Sequence, residues 1–231
     1  MLRVGLTGDL GSGKSTVAKM LAERGAIVLS SDEMGRAMMQ PGEAVYAAIV
    51  AKFGPGVVMP DGSLNRSELA RLAFAGKRVE ELNAIVHPAV IAEQARLIAE
   101  LGETQPQAIV VVESALIFST KHGIAGHAWH ERFDEILLVT APENVKIARF
   151  IERASSDRTL SPEELVALEA DARRRLKAQR SSTAQEQDCI VIRNNGDLAA
   201  LQSRINDVWR ALQRMAGRNV TNSSQAASGS V

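Results

Sequence analysis

Little in this sequence suits an exported, membrane-bound or polynucleotide-binding protein. Its 231 residues include one cysteine, Cys189, so no internal disulfide can form. Cys189 lies in an apolar run over residues 189–192 and reads as a small buried hydrophobe rather than a reactive thiol. Lys plus Arg and Asp plus Glu number 27 each, which leaves no global field to attract a nucleic acid polymer or an anionic membrane. No apolar run reaches the roughly 20 residues that a bilayer crossing needs. The N-terminus enters a strand pattern at once, without a basic segment and an apolar signal core. These absences predict a cytoplasmic protein with no membrane, polynucleotide or obligate protein partner. The length suits one large domain with an inserted or appended subdomain.

What is present begins almost immediately. Residues 8–15 read G-D-L-G-S-G-K-S, between a short apolar run at 2–7 and a helical spacing of Val17, Ala18 and Leu21. This matches G-x-x-x-x-G-K-[ST] in the strand–loop–helix setting that the motif requires. Gly8, Gly11 and Gly13 permit turns that let successive N–H groups, including those at Ser12 and Thr16, surround an anion at a helix N-terminus. Lys14 adds a positive charge for the β- and γ-phosphates of ATP, and the Ser15 hydroxyl is placed for Mg²⁺. Asp9 would repel those phosphates, so its side chain is expected to turn outward.

Further strand patterns occupy residues 26–29, 108–113, 135–140 and 188–192, short and continuously apolar, with helical patterns between them. They predict an α/β fold: a P-loop NTPase core whose five-stranded parallel sheet is covered on both faces. Ligands in such sheets bind outside the carboxyl ends of the strands. The stretch between strands two and three carries helical patterns at 43–52, 67–75, 78–86 and 89–101, with a Pro60-Asp61-Gly62 turn, and is too long for a simple crossover. It reads as a helical acceptor-binding insertion. The expected organisation is a core of 1–31, 104–148 and 181–215, an insertion at 32–103, an arginine-rich helical lid at 149–180 and a disordered tail at 216–231. Pro142 and Pro162 suit first helical turns, and Ser161 with Glu164 forms a capping box. The helix at 197–215 has a packing face of Leu198, Leu201, Ile205, Val208 or Trp209, and Leu212.

Several residues outside the loop carry chemical potential. Asp32 follows strand two, which topology is expected to bring beside the phosphate loop; it fits either a proton acceptor for an attacking hydroxyl or a helix N-cap. Glu113 ends strand three and fits either a Mg²⁺ ligand, directly or through water, or a solvated strand end. Arg149 and Arg153, then Arg173, Arg174, Arg175, Lys177 and Arg180, flank a polar connection, as in a lid that closes over phosphates or as in a solvated basic face. His87-Pro88 separates two helical patterns, where an imidazole can meet a phosphate or merely mark a boundary. His122, His127 and His130 match no standard metal spacing and read as a surface or substrate-side loop.

The segments GLTGDLGSGKSTVA, SDEMGR, PGEAV, GSLNRSELARLAF, LNAIVHPAV, VVVESALIF, LLVTAPE, ARRRLKAQ and NNGDL, in this order, resemble the dephospho-coenzyme A kinases over nearly the whole chain to about residue 212. The loop is shared by many families; IVHP, ALIF and the Arg175-to-Gln179 spacing in RLKAQ are more specific. The resemblance implies transfer of the ATP γ-phosphate to the ribose 3′-hydroxyl of dephospho-coenzyme A. Lys14, Asp32 and Arg149 would be catalytic, with Asp32 as base. The nucleotide would meet Gly8, Gly11, Ser12, Gly13, Lys14, Ser15, Thr16, Arg149, Arg175 as lid arginine, and Asn194 near the base. Asp32, Arg36, His87 and Leu116 would meet the acceptor, and Ser15 with Glu113 the metal. Family members usually carry glycine at Asp9, aspartate at Ser30 and Glu113, a Pro-Leu-Leu-Phe-Glu run at 115–119, and a lysine within 180–187. The alternatives are a kinase for another small hydroxyl or nucleotide acceptor, and a non-catalytic nucleotide switch; the Asn-Lys-x-Asp motif for guanine is absent.

Overall fold

The computed structural model describes residues 1–118, 129–156, 160–179 and 187–228. Val110, Val111 and Val112 are fully buried, which only a strand covered on both faces allows. They form the centre of β3 (Ile109–Glu113), which pairs in parallel with β1 (Leu2–Gly8) and β2 (Ile27–Ser30). β4 (Glu135–Thr140) pairs with the other side of β1, and β5 (Ile190–Arg193) closes the order β2-β3-β1-β4-β5. The five-stranded all-parallel sheet is therefore as expected from the sequence. β3 lies between β1 and β2, and Asp32, just past the end of β2, still comes close enough for its charge to act on Lys14 of the loop. Register places Glu113 opposite both Ser30 and Leu6, so this acid stands between the two strand ends.

Side chains alternate across the sheet. Val111, Leu137 and Val139 join Val17 and Leu21 of α1 (Lys14–Ala22) and Leu201, Ile205 and Leu212 of α9 (Leu198–Ser228) in one core. Val112 and Ile136 meet Ile117 and Phe133 on the opposite face. Leu198 was expected on the packing face of α9 but is 59% exposed, since it starts the helix beyond the sheet's edge of contact.

The chain between β2 and β3 builds a third core. α2 (Ser31–Met38), α3 (Ala44–Phe53) and α4 (Arg66–Ala70), the last continued by a π-type turn over Arg71–Ala75, pack with α5 (Val79–Thr104) around Val45, Ile49, Phe53, Val57 and Leu69. The separate helices expected at 78–86 and 89–101 are one continuous α5, with Pro88 inside it. Pro88 removes one backbone donor and costs about 3 kcal/mol locally. The helix persists because it is anchored on both sides of the proline: Leu82, Ile85 and Val86 pack into the insertion core, and Ile98 into the sheet core.

After β4, Pro142 caps α7 (Glu143–Ala154), and α8 (Pro162–Gln179) follows a capping box in which the Ser161 N–H donates to Glu164 Oε2 and the Glu164 N–H to Ser161 Oγ. α7 and α8 share a small core of Ile147, Ala172 and Leu176. The four-residue α6 (Trp129–Arg132) precedes β4. At the C-terminus the expected disordered tail is corrected: α9 continues through it to Ser228. Extending a helix already nucleated on the sheet adds one bond per residue, no proline interrupts residues 216–228, and Gly217 alone costs about 1 kcal/mol.

Candidate active site

The loop between β1 and α1 is shaped by its glycines and by distant backbone. Gly11 (φ +70°) passes so near α7 that a Cβ there would overlap the Lys146 carbonyl oxygen. Gly13 (φ +94°) is the N-cap of α1, and a Cβ there would overlap the Asn194 side-chain nitrogen. Asn194, 5% exposed, donates through Nδ2 to the Ser12 carbonyl at 2.9 Å and through its backbone N–H to Thr140 at the end of β4. Arg149 from α7 donates to Ser12 O at 3.5 Å and to Asn194 Oδ1 at 3.3 Å. The loop is thus braced from β5 and α7 before any ligand arrives, which lowers the cost of ordering it on binding.

Lys14 folds back over this loop, its Nζ donating to Gly8 O at 2.7 Å and Asp9 O at 3.3 Å. Burial pushes its ammonium below the ordinary lysine value, while the charges of Glu113, Asp32 and Asp9 oppose that shift. Ser15 Oγ donates to Glu113 Oε1 at 2.8 Å, bringing a hydroxyl and a carboxylate to one point at the carboxyl end of the sheet. Two hard oxygen donors there suit a divalent cation that keeps part of its water shell and shares phosphate oxygens. Ser12 Oγ is fully buried beside Gly8 and has no hydrogen-bond partner among the described residues. These features fit the phosphates of a nucleotide with a bound cation.

Asp9 has an ion-pair partner that the sequence did not indicate. Its carboxylate meets Lys146 Nζ at 2.5 Å, with side-chain exposures of 19% and 12%. The pair neutralises the acid that would otherwise repel phosphate. Lys146→Met should therefore raise the KM for the nucleotide by about tenfold or more, because a half-buried charge loses its partner. Adding Asp9→Gly should restore it, as steady-state kinetics on the single and double variants will read.

Asp32 is the second residue of α2, not its cap. Ser30 Oγ accepts the Glu33 N–H at 3.4 Å and occupies that role, which leaves the exposed Asp32 carboxylate for other work. Its charge reaches Lys14 on one side. On the other it lines a cleft of about 420 Å³ together with Arg36, His87 and Leu116, so all four expected acceptor residues share one cavity.

The arginine-rich segment divides. Arg149 faces the loop, and the charge of Arg153 acts on Lys14. Arg173 pairs with Glu169 and Glu143, Arg174 with Asp171, and Arg175 with Asp171 at 2.8 Å while stacking over Phe150. Arg175 is thus engaged on the α7–α8 pair rather than with the loop. Arg180, His122 and His127 lie outside the described residues, and His130 stacks on Trp129. Among the described residues no group of three His, Cys, Asp or Glu side chains suits a metal. Cys189 is half-buried at the margin of the sheet core.

Sequence reasoning missed Lys146, Gln94 and Arg132. Gln94 is 2% exposed and, with Arg132, lines the same cleft as Asp32. Lys146 carried one available signal, its place in the first turn of the helix after β4, which topology brings to the loop.

A phosphate loop braced from two neighbouring elements, opening on a cleft that holds a carboxylate, defines a P-loop kinase. The sequence pattern of the dephospho-CoA kinases matches residues 2–200. The chain is 38% identical over 216 residues to the dephospho-CoA kinase of Moorella thermoacetica, covering 93% of each chain. It is 36% identical to that of Thermobifida fusca, covering 93% of this chain and 98% of the other. A crystal structure from Thermus thermophilus superposes with a TM-score of 0.65 at 31% identity, covering 91% of this chain and 97% of that one. The chain belongs to the dephospho-CoA kinase family.

Proposed function

We propose that this protein transfers the γ-phosphoryl group of ATP to the ribose 3′-hydroxyl of dephospho-coenzyme A, giving coenzyme A and ADP, in the cytoplasm. The observation that carries this reading is the position of Asp32, whose charge acts on Lys14 while its side chain lines the cleft. The loop amides and Lys14 hold the β- and γ-phosphates, and Arg149 adds charge beside Ser12. Asp32 takes the proton of the 3′-hydroxyl as the new O–P bond forms and the bond to the ADP oxygen breaks. Ser15 and Glu113 would hold Mg²⁺, which neutralises charge on the transferring phosphates. Arg36 and His87 provide cationic or hydrogen-bonding contacts to the acceptor, and Leu116 an apolar one. Asn194 acts through the loop it braces, next to the nucleotide. No helix among the described residues is long and apolar enough to cross a membrane, consistent with a reaction on small molecules in water.

Labelled ATP offered with dephospho-coenzyme A, AMP, CMP or shikimate tests the assignment. Label should pass to dephospho-coenzyme A. Transfer only to one of the other three would replace this acceptor with that one.

A further inference from the structure

α5 runs past the acceptor cleft into a second cavity. His87, Ile91 and Gln94 line the first; Gln94, Ile98 and Gly102, with Phe133, line the second, also of about 420 Å³. Ile91, Gln94 and Arg132 belong to both. From residue 87 to 102 the helix advances about 22 Å, so the two cavities form one elongated path along a single helix face.

The partition between them is polar, and Arg3 and Glu131 add polar groups to the otherwise apolar lining of the second cavity. Gln94 donates through Nε2 to Ser31 Oγ at 2.8 Å and accepts at Oε1 from Arg132 Nη2 at 2.9 Å. Arg132 lies over the Phe133 ring, 4.9 Å from its centroid. Among the described residues no carboxylate lies within ion-pair distance of it. Burial lowers its basicity and no neighbouring charge offsets that. A guanidinium has five N–H donors, and Gln94 uses one. A half-desolvated cation without a counter-ion is costly to keep, and a ligand that brings the opposite charge relieves the cost.

The path therefore has three parts in order: a carboxylate at Asp32, a cation without an ion-pair partner among the described residues at Arg132, and a mainly apolar chamber edged by Arg3 and Glu131. Dephospho-coenzyme A has the same order: a ribose, a 5′-diphosphate, and a long pantetheine arm with a gem-dimethyl centre. We propose that Arg132, presented by Gln94, binds the acceptor's diphosphate, and that the cavity beside Ile98, Gly102 and Phe133 receives the pantetheine arm. This rests on the acceptor assigned above and adds how the enzyme would tell it from shorter nucleotides.

Full-length enzyme saturated with a non-hydrolysable ATP analogue is titrated with dephospho-coenzyme A and with adenosine, and KM and kcat are measured for dephospho-coenzyme A with ATP. Arg132→Met should weaken dephospho-coenzyme A binding and raise its KM about 10- to 100-fold, with kcat and adenosine binding little changed. Arg132→Lys should fall between. Ala99→Phe, which narrows the second cavity from an exposed position, should weaken dephospho-coenzyme A alone. An unmoved KM in Arg132→Met, or equal weakening of both ligands, overturns the assignment by itself. If the wild-type enzyme phosphorylates only another acceptor, the proposed function falls, and this assignment falls with it.

Discussion

Asp32→Asn is expected to lower turnover by about 10²- to 10⁴-fold, the range for losing a positioned general base, with ATP affinity nearly unchanged. The substitution keeps the size and shape of the side chain and removes its ability to take a proton. Folding should be little affected, because Asp32 is exposed at the second position of α2 and Ser30, not Asp32, caps that helix. ATP affinity should move only slightly: Asp32 is one of three acids whose charges act on Lys14, and Glu113 and Asp9 remain. Single-turnover phosphoryl transfer separates the chemical step from product release, and a titration with ATP reads the ground state. A nucleotide-responsive switch would keep both binding and function in this variant. Turnover within tenfold of wild type would remove Asp32 from the proton's path.

The parts of this enzyme that were legible in its sequence are those set by local chemistry. The loop's glycines, Lys14 and Ser15 announce an anion cradle because few other functions need that spacing between a strand and a helix. Runs such as Val110 to Val112 announce doubly covered strands. The missed contacts are those joining residues far apart in the chain. Asp9 and Lys146 are 137 positions apart, and the expectation that the acid turns outward could not name its partner because that partner lies in another element. Gln94 and Arg132 are 38 apart, and neither stands out within its own helical pattern. His87-Pro88 shows the opposite failure: its local signal for a break is genuine, but packing on both sides of the proline holds α5 continuous. Strand order was also beyond a linear reading, since nothing local to β2 says that β3 will insert between it and β1.

Gly13→Ala should be damaging to both stability and rate, and for reasons that involve no reacting atom. The residue has φ +94°, where an alanine costs about 1–2 kcal/mol. Its new methyl would also occupy the place of the Asn194 amide nitrogen. Asn194 is buried, and moving it breaks its bond to Ser12 O and its contact with Arg149, leaving polar groups unsatisfied at a further ~1–3 kcal/mol. The sum is a fall in melting temperature on the order of 10 °C for a domain of this size. A displaced loop carries its N–H groups with it, and misplacement by about 1 Å near a reacting centre costs roughly 100-fold in rate. The two causes separate in a second variant. Gly13→Ala combined with Asn194→Gly removes the overlap but keeps the backbone strain, so it should recover part of the lost stability relative to Gly13→Ala. Thermal unfolding and ATP titration of both proteins read this directly. Wild-type stability and ATP affinity in Gly13→Ala would mean that Asn194 yields without cost and that the brace from β5 does not hold the loop.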